Sequence, residues 1–123
     1  MTRKKMMEVD EAYIIEMAKK CAHAADEKKA SDILILDVSQ LTSYADYFVI
    51  CSAESERQVQ AIVNNVQDEM LKLEHKPYSV EGLESSSWIL VDFGNIIFHC
   101  FTQSAREYYD LEGLWIDSKK IDF

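Results

Sequence analysis

The sequence predicts one domain of the mixed α/β (α+β) class, a mixed β-sheet with flanking helices, spanning residues 1–123. Its hydrophobic periodicity follows the order helix, strand, strand, helix, three strands and a short helix. Because strands follow one another directly, a regular alternation of strand and helix is excluded, and we expect a mixed sheet with helices packed on it. A chain of 123 residues that is 48% hydrophobic, with three glycines and one proline, is typical of a single core.

The N-terminal third predicts a long helix followed by a strand. Apolar residues recur at helical spacing over residues 8–29, opposite a charged side. They are Ile14, Met17, Ala18, Cys21, Ala22 and Ala25. Residues 33–36 are apolar without interruption, which is typical of a strand covered on both faces.

The middle of the chain predicts a second strand and a capped helix. Residues 47–51 are aromatic, β-branched or otherwise apolar, as in a buried strand. Ser55 stands three residues before Gln58, which is the spacing of a capping box, so we expect a helix to begin there. Its apolar positions advance by three and four until Pro77 ends the pattern. They are Val59, Ile62, Val63, Val66, Met70 and Leu73.

A hairpin is predicted near the C-terminus. A short strand over residues 78–80 and a loop over residues 81–87 come first, and Gly82 with three serines makes that loop a flexible segment with a pivot. Two apolar, aromatic-rich runs then flank Gly94 and Asn95. This pair is typical of a tight antiparallel turn.

The C-terminal segment predicts a short helix and a loose end. Ser104 stands three residues before Glu107, which predicts a second capping box. The charged tail over residues 116–123 is expected to fray, so both ends of the domain should be flexible.

The net charge narrows the range of partners. A formal charge of -9 and a pI near 4.7 repel phosphate backbones and anionic membranes, and favour basic protein surfaces. We therefore expect no direct sequence-specific nucleic acid binding and no membrane association. No apolar stretch reaches the length of a membrane span, and three cysteines in apolar contexts suit reduced thiols. These features predict a cytoplasmic protein.

Motifs for phosphate or metal binding are not recognisable. Three scattered glycines do not form the glycine-rich loop that approaches a phosphate. Asp37, Asp46 and Asp92 lie near strand ends, but no two have the Asp-x-Asp spacing that holds Mg²⁺ on one strand. We therefore expect no cofactor and no metal.

The cysteines and histidines favour packing over chemistry. His99 and Cys100 are adjacent on a strand and point to opposite faces, so they cannot chelate zinc together. His75 follows a helix, where it meets the C-terminal end of the helix dipole. A Cys51 nucleophile with His99 across the sheet stays conceivable, but no oxyanion loop or acidic partner accompanies it.

The aromatic residues of the last third are the main candidates for a protein contact. Trp88 begins a strand beside the polar loop, where its ring fits either a partly exposed anchor or the core. Trp115 is expected to pin the last helix to the sheet. Tyr108 and Tyr109 are about 100° apart around a helix, so one should pack inward and the other face solvent.

Four blocks of residues carry a family resemblance. They are residues 45–52; Ser55, Arg57, Gln58 and Val59; residues 88–94 with His99; and Arg106, Tyr109, Leu111, Glu112, Leu114 and Trp115. With these blocks in this order, the chain resembles the ribosomal silencing factor family, also called Iojap-like, over about residues 31–117. Ala53 departs from the family pattern, which has glycine there, so this turn must avoid a glycine-only conformation.

The resemblance implies a fold, a partner and an activity. The fold would be similar to a nucleotidyltransferase domain without its catalytic carboxylates, and the chain would not be an enzyme. Its partner would be the large ribosomal subunit, at ribosomal protein uL14, where it would block subunit association and repress translation under nutrient limitation. The matching partner-binding residues would be Trp88 as an aromatic anchor, Asp92 as an acidic contact, and Tyr109 with Leu111 as the flanking patch.

Two alternatives stay open at this point. One is a residual nucleotidyltransferase-type enzyme, which the missing carboxylate pair opposes. The other is a self-associating regulatory module, a homodimer in which the apolar hairpin pairs across a two-fold axis. Asp46, Arg57 and Arg106 belong to the same blocks but fit structural roles, as caps and ion pairs, at least as well.

Overall fold

Within residues 11–123, the part of the chain that the computed structural model describes, the strands form one six-stranded sheet. The elements in chain order are α1 (Glu11–Glu27), β1 (Ser31–Asp37), β2 (Tyr47–Ala53), α2 (Glu56–Lys72), β3 (Ser79–Glu81), β4 (Trp88–Asp92), β5 (Ile96–Thr102), α3 (Gln103–Tyr109), α4 (Leu111–Leu114) and β6 (Lys119–Ile121). The strands lie in the order β3, β4, β5, β2, β1 and β6. Strands β2 and β5 are parallel, and the other neighbouring pairs are antiparallel. The predicted mixed sheet is confirmed.

The two long helices cover one face of this sheet, the helical face. Their apolar stripes pack against each other and against the strands, as the three-and-four spacing predicts. The predicted cap of α2 is confirmed, because the Ser55 hydroxyl accepts a hydrogen bond from the backbone N–H of Gln58 at 3.1 Å. Residues 8–10 of the predicted first helix lie outside the described residues.

The opposite face of the sheet, the open face, is covered only in part. Its buried apolar residues are Leu36, Val38, Ala45, Phe48, Ile50, Ile97 and Phe101. Helices α3 and α4 lie over them and contribute the partly buried Ala105 and Leu111, and Trp115 follows at the end of α4. With seven and four residues, these helices are too short to span the sheet. An apolar margin around Trp88 and Leu90 therefore stays half-buried.

The predicted cap of α3 is wrong. Thr102 caps this helix, and its Oγ1 accepts a hydrogen bond from the backbone N–H of Ala105 at 3.3 Å. Strand β5 delivers Thr102 in an extended conformation with ψ of 159°, which is what an N-cap residue needs. Ser104 lies one residue inside the helix and is exposed.

The predicted fraying of the tail is also wrong. Residues 119–121 form β6, which pairs antiparallel with β1 so that Lys120 lies opposite Leu36. Beyond β6, the ring of Phe123 meets the ring of His23 on α1 with 5.5 Å between centroids. The tail therefore supplies hydrogen bonds to a strand that would otherwise form an edge of the sheet.

The loop before β4 is held in place, which corrects its prediction as a flexible pivot. Gly82 has φ of +94°, and a Cβ atom added there would overlap the carbonyl oxygen of Trp88. Ser86 is buried in the loop, and its hydroxyl accepts a hydrogen bond from Gln60 Nε2 at 2.8 Å and donates one to the Leu83 carbonyl at 3.1 Å. These contacts fix where β4 begins.

Candidate functional site

The register of the hairpin puts one residue set on the open face. Trp88, Leu90 and Asp92 of β4 lie opposite Phe101, His99 and Ile97 of β5, in that order. Directly paired residues of antiparallel strands project to the same face, so all six belong to the open face. The intervening residues Ile89 and Val91 are fully buried on the helical face.

An exposed aromatic surface forms at one end of this set. The Trp88 ring stacks on the buried Phe101 ring with 4.8 Å between centroids, and Tyr109 approaches Trp88 at 4.7 Å. Tyr109 is 47% exposed and Tyr108, edge-on to it at 5.1 Å, is 82% exposed. We call Trp88, Tyr108 and Tyr109 the aromatic rim. The prediction that one tyrosine packs inward holds for Tyr109 in part, since it contacts Trp88 and still faces solvent.

The Trp88 indole is hydrogen-bonded on its inner side. Its Nε1–H donates to His99 Nδ1 at 3.1 Å, so the proton of the neutral imidazole lies on Nε2. That Nε2 is buried and has no hydrogen-bond partner among the described residues. Burial lowers the pKa of His99 to about 3, so the imidazole is neutral at physiological pH. His99 is buried, with 4% of its surface exposed.

The predicted acidic contact lies at the other end of β4. Asp92 is four residues from Trp88, about 13 Å along the strand. Its Oδ1 accepts a hydrogen bond from the backbone N–H of Gly94 at 2.7 Å and so supports the predicted hairpin turn. Asp92 is half-buried on the open face. The structure therefore brings Trp88 and Tyr109 together and separates Asp92 from them.

Leu111 and Trp115 hold the segment that follows Tyr109 against the sheet. Both are half-buried against the apolar residues of the open face, and the Trp115 ring meets Phe48 edge-on at 5.1 Å. The prediction that Trp115 pins the last helix to the sheet is confirmed. Leu111 therefore has limited exposed surface.

Arg106 fastens the rim to the strands. Its Nε donates to Glu112 Oε2 at 3.0 Å, and its Nη1 donates to the Asp32 carbonyl at 2.6 Å and to Ser52 Oγ at 3.3 Å. Arg106 is buried, so these charge-assisted bonds tie α3 and α4 to β1 and β2. Its structural role is confirmed, as is that of Asp46, which accepts a hydrogen bond from Asn95 at 2.6 Å.

The segment that contains the two rim tyrosines carries charges of one sign. Residues 107–117, the acidic segment, contain Glu107, Asp110, Glu112 and Asp117 and neither lysine nor arginine. Leu114 and Ile116 in the same segment are 76% and 79% exposed. The surface around the rim therefore combines large apolar groups with negative charge, which suits a basic protein partner.

A cleft of about 780 Å³ lies behind Arg106. Its lining includes Asp32, Glu107, Asp110 and Glu112, and the guanidinium inside it is already paired with Glu112. Four carboxylates beside one paired cation repel a polyphosphate. The cleft therefore disfavours the nucleotide-handling alternative.

The Cys51 and His99 pair is separated by the sheet. Cys51 lies beside Cys100 in the parallel ladder, within the core of the helical face, whereas His99 projects to the open face. A hydrogen bond with the Cys100 thiol and burial raise the pKa of Cys51, which makes it a poor nucleophile. Residues 11–123 contain no group of three or more His, Cys, Asp or Glu side chains that could hold a metal ion. None of their helices is both long enough and apolar enough to cross a membrane.

The comparison with known proteins identifies the family. A family model described as ribosomal silencing factor during starvation, RsfS, matches residues 11–123. The chain belongs to the ribosomal silencing factor family. RsfS from Bacillus subtilis is 41% identical over 101 residues, which cover 82% of this chain and 86% of that protein. The resemblance stated from the sequence is confirmed.

One further relative and one solved structure are also similar to this chain. The mouse protein "Mitochondrial assembly of ribosomal large subunit protein 1" is 37% identical over 92 residues, 72% of this chain and 40% of its own. A crystal structure of a Chromobacterium violaceum protein has a TM-score of 0.82 at 36% identity, covering 89% of this chain and 91% of that one. The RsfS fold of this chain is therefore supported by both sequence and structure.

The hydrogen bond between Trp88 and His99 is not among the contacts predicted from the sequence. A signal for it exists, because residues at equal distances on either side of Gly94 and Asn95 pair across a tight hairpin. Counting outward places Leu90 opposite His99 and Trp88 opposite Phe101, as the structure shows. The diagonal reach of a tryptophan then allows the indole to contact the histidine.

Proposed function

We propose that this protein silences ribosomes in the cytoplasm by binding the large subunit at ribosomal protein uL14 and blocking subunit association under nutrient limitation. It acts by occupying a surface and not as an enzyme. The observation that carries the proposal is the aromatic rim, in which the exposed Tyr108 and Tyr109 adjoin the half-buried Trp88 within an acidic surface. Membership of the RsfS family and the large-subunit name of the mouse relative support it.

The charge of the chain supports a protein partner on the ribosome. A net charge of -9 repels ribosomal RNA, so attraction must come from a basic protein surface. Aromatic rings supply the apolar contact area, and the acidic segment supplies orientation and a faster association rate. Binding should therefore weaken as the salt concentration rises, because screening acts on the charged part of the contact.

The four predicted contact residues take different positions in this proposal. Trp88 and Tyr109 form the centre of the contact, and Leu111, which packs on the buried residues of the open face, flanks them. Asp92 would contact the partner about 13 Å away, at the turn end of β4. A contact surface that extends about 13 Å from Trp88 to Asp92 fits one face of a partner protein.

The direct test is sedimentation of the purified protein with separated ribosomal subunits. We expect it to migrate with the large subunit alone and to reduce the joined-ribosome peak. Trp88→Ala should weaken binding by about 2 kcal/mol, or about 30-fold, as loss of an anchor does. Leu71→Ala is the matched control, because Leu71 is an exposed apolar residue of α2 on the helical side. Equal binding by Trp88→Ala and Leu71→Ala would exclude the rim as the contact.

The partner protein is tested by crosslinking. A photo-crosslinking amino acid in place of Tyr109 should form a product with uL14 on the large subunit. The same group at Leu71 should form none. A product with a different ribosomal protein would support binding to the ribosome but contradict uL14 as the partner.

A further inference from the structure

A buried histidine contacts the half-buried Trp88. His99 Nδ1 accepts the indole N–H of Trp88 at 3.1 Å, and the imidazole is held between two other rings. Phe48 meets it edge-on at 5.1 Å, and Phe101 lies nearly parallel to it at 12° with 6.2 Å between centroids. These two rings pack against the imidazole, and its Nδ1 acceptor faces the Trp88 indole.

We propose that His99 is a positioning residue, which holds the Trp88 indole in the one orientation that the open face presents to a partner. The use of that orientation in binding rests on the proposed function. A half-buried tryptophan has several staggered side-chain conformations available, and a bond from its inner edge to a fixed acceptor selects one. Phe101 limits the tilt of the ring but offers no acceptor for the indole N–H.

The unpartnered nitrogen of His99 supports this role. Nε2 is buried without a hydrogen-bond partner among the described residues, which is unfavourable for a polar group. A phenylalanine at this position would fill the same apolar surroundings without that cost. What the imidazole adds is the acceptor at Nδ1, so the contact with Trp88 is the physical reason for a histidine here. Its low pKa keeps that acceptor unprotonated throughout the physiological range.

Two substitutions separate positioning from packing. His99→Phe keeps an aromatic ring and removes both the acceptor and the unpartnered donor. His99→Asn has a side-chain carbonyl oxygen near the position of Nδ1 and so restores an acceptor. The first readout is the indole N–H resonance of Trp88 in ¹⁵N-tryptophan-labelled free protein, assigned with Trp88→Phe. The second is the affinity for large subunits, and the third is the unfolding midpoint in urea.

The positioning role predicts a specific combination of results. His99→Phe should shift or broaden the Trp88 indole resonance, speed its hydrogen exchange at least 10-fold, and weaken subunit binding about 10-fold. Its urea midpoint should not fall, and His99→Asn should recover the slow exchange and most of the affinity. A merely structural histidine would instead lower the midpoint in both variants.

Other results would overturn the positioning role of His99 and the proposed ribosome binding independently of each other. An unchanged Trp88 resonance and exchange rate in His99→Phe would show that His99 does not position the ring. A changed resonance with wild-type affinity would show that the fixed orientation is not used. If the unaltered protein fails to bind large subunits, the proposed function fails, and the resonance still decides whether His99 fixes Trp88.

Discussion

The two faces of the sheet differ in what covers them and in the side chains they carry. Two 17-residue helices cover the helical face, where aliphatic and small residues such as Val63 and Ala25 are fully buried. Two short helices partly cover the open face, where Phe48, His99, Trp88 and Phe101 of the strands are linked by ring contacts. The same strands supply both faces by alternation, as the neighbours Phe98 and His99 show.

The length of the covering helices decides where this sheet leaves apolar surface for a partner. A long amphipathic helix seals its face and leaves no large apolar surface for a contact. A short helix seals only the centre and leaves rings at its margin half-buried, here Trp88 and Tyr109. The large rings of the open face are therefore partly core and partly contact surface.

The largest expected effect is on the helical face. Phe98→Ala removes a fully buried ring and should lower the free energy of unfolding by about 3–5 kcal/mol, measured by urea denaturation. Leu90→Ala is the counterpart on the open face, where the side chain is half-buried, and should cost about 2 kcal/mol or less. Equal losses would show that the open face is as tightly sealed as the helical face.

The next effect concerns the loop that positions the rim. Gly82→Ala should lower the free energy of unfolding by about 1–3 kcal/mol, because φ of +94° strains an alanine and its Cβ overlaps the Trp88 carbonyl. The same variant should also weaken subunit binding, since the overlap displaces the start of β4. Ser85→Ala, an exposed change in the same loop, should stay within about 0.5 kcal/mol. A neutral Gly82→Ala would mean that the loop yields without moving Trp88.

The buried His99 of the open face should make the free energy of unfolding depend on pH. The unfolded imidazole binds a proton near pH 6.5, whereas the folded one does so only near its pKa of about 3. The free energy of unfolding should therefore fall as pH drops below 6.5, by up to about 1.4 kcal/mol per unit from this group. The contribution is present above pH 6.5 and is lost progressively towards pH 3.

The measurement is urea denaturation of the wild type and of His99→Phe between pH 7.5 and pH 5. Other titrating groups are common to both proteins, so the difference between their slopes isolates His99. The wild type should lose stability more steeply with acid than His99→Phe. Parallel curves would place the imidazole in a solvated site and contradict its burial.

The smallest expected effect tests Thr102 as the N-cap of α3, the helix that carries Tyr108 and Tyr109. Thr102→Ala should lower the free energy of unfolding by about 1 kcal/mol, because its Oγ1 bonds the first turn of α3. Ser104→Ala should change it by less than about 0.5 kcal/mol, since Ser104 is exposed within the helix. A larger loss from Ser104→Ala would restore the cap that the sequence predicts.

Local patterns in the sequence were enough for the elements whose signals lie within a few residues. The three-and-four spacing and the cap at Ser55 predict α2, and Gly94 with Asn95 predicts the turn between β4 and β5. The mixed sheet follows from the order of these elements. In each case the deciding contact joins neighbours in the chain, or depends on a face that the periodicity already marks.

Contacts between distant residues decided the rest. Pairing with β1 converts the charged tail into β6, and the bond from Gln60 to Ser86 fixes a loop that reads as flexible. The end of β5 sets the backbone angles that make Thr102 the cap. Tertiary packing also places the Tyr109 ring on the Trp88 ring. These outcomes depend on which surfaces meet in three dimensions, and periodicity carries no record of that.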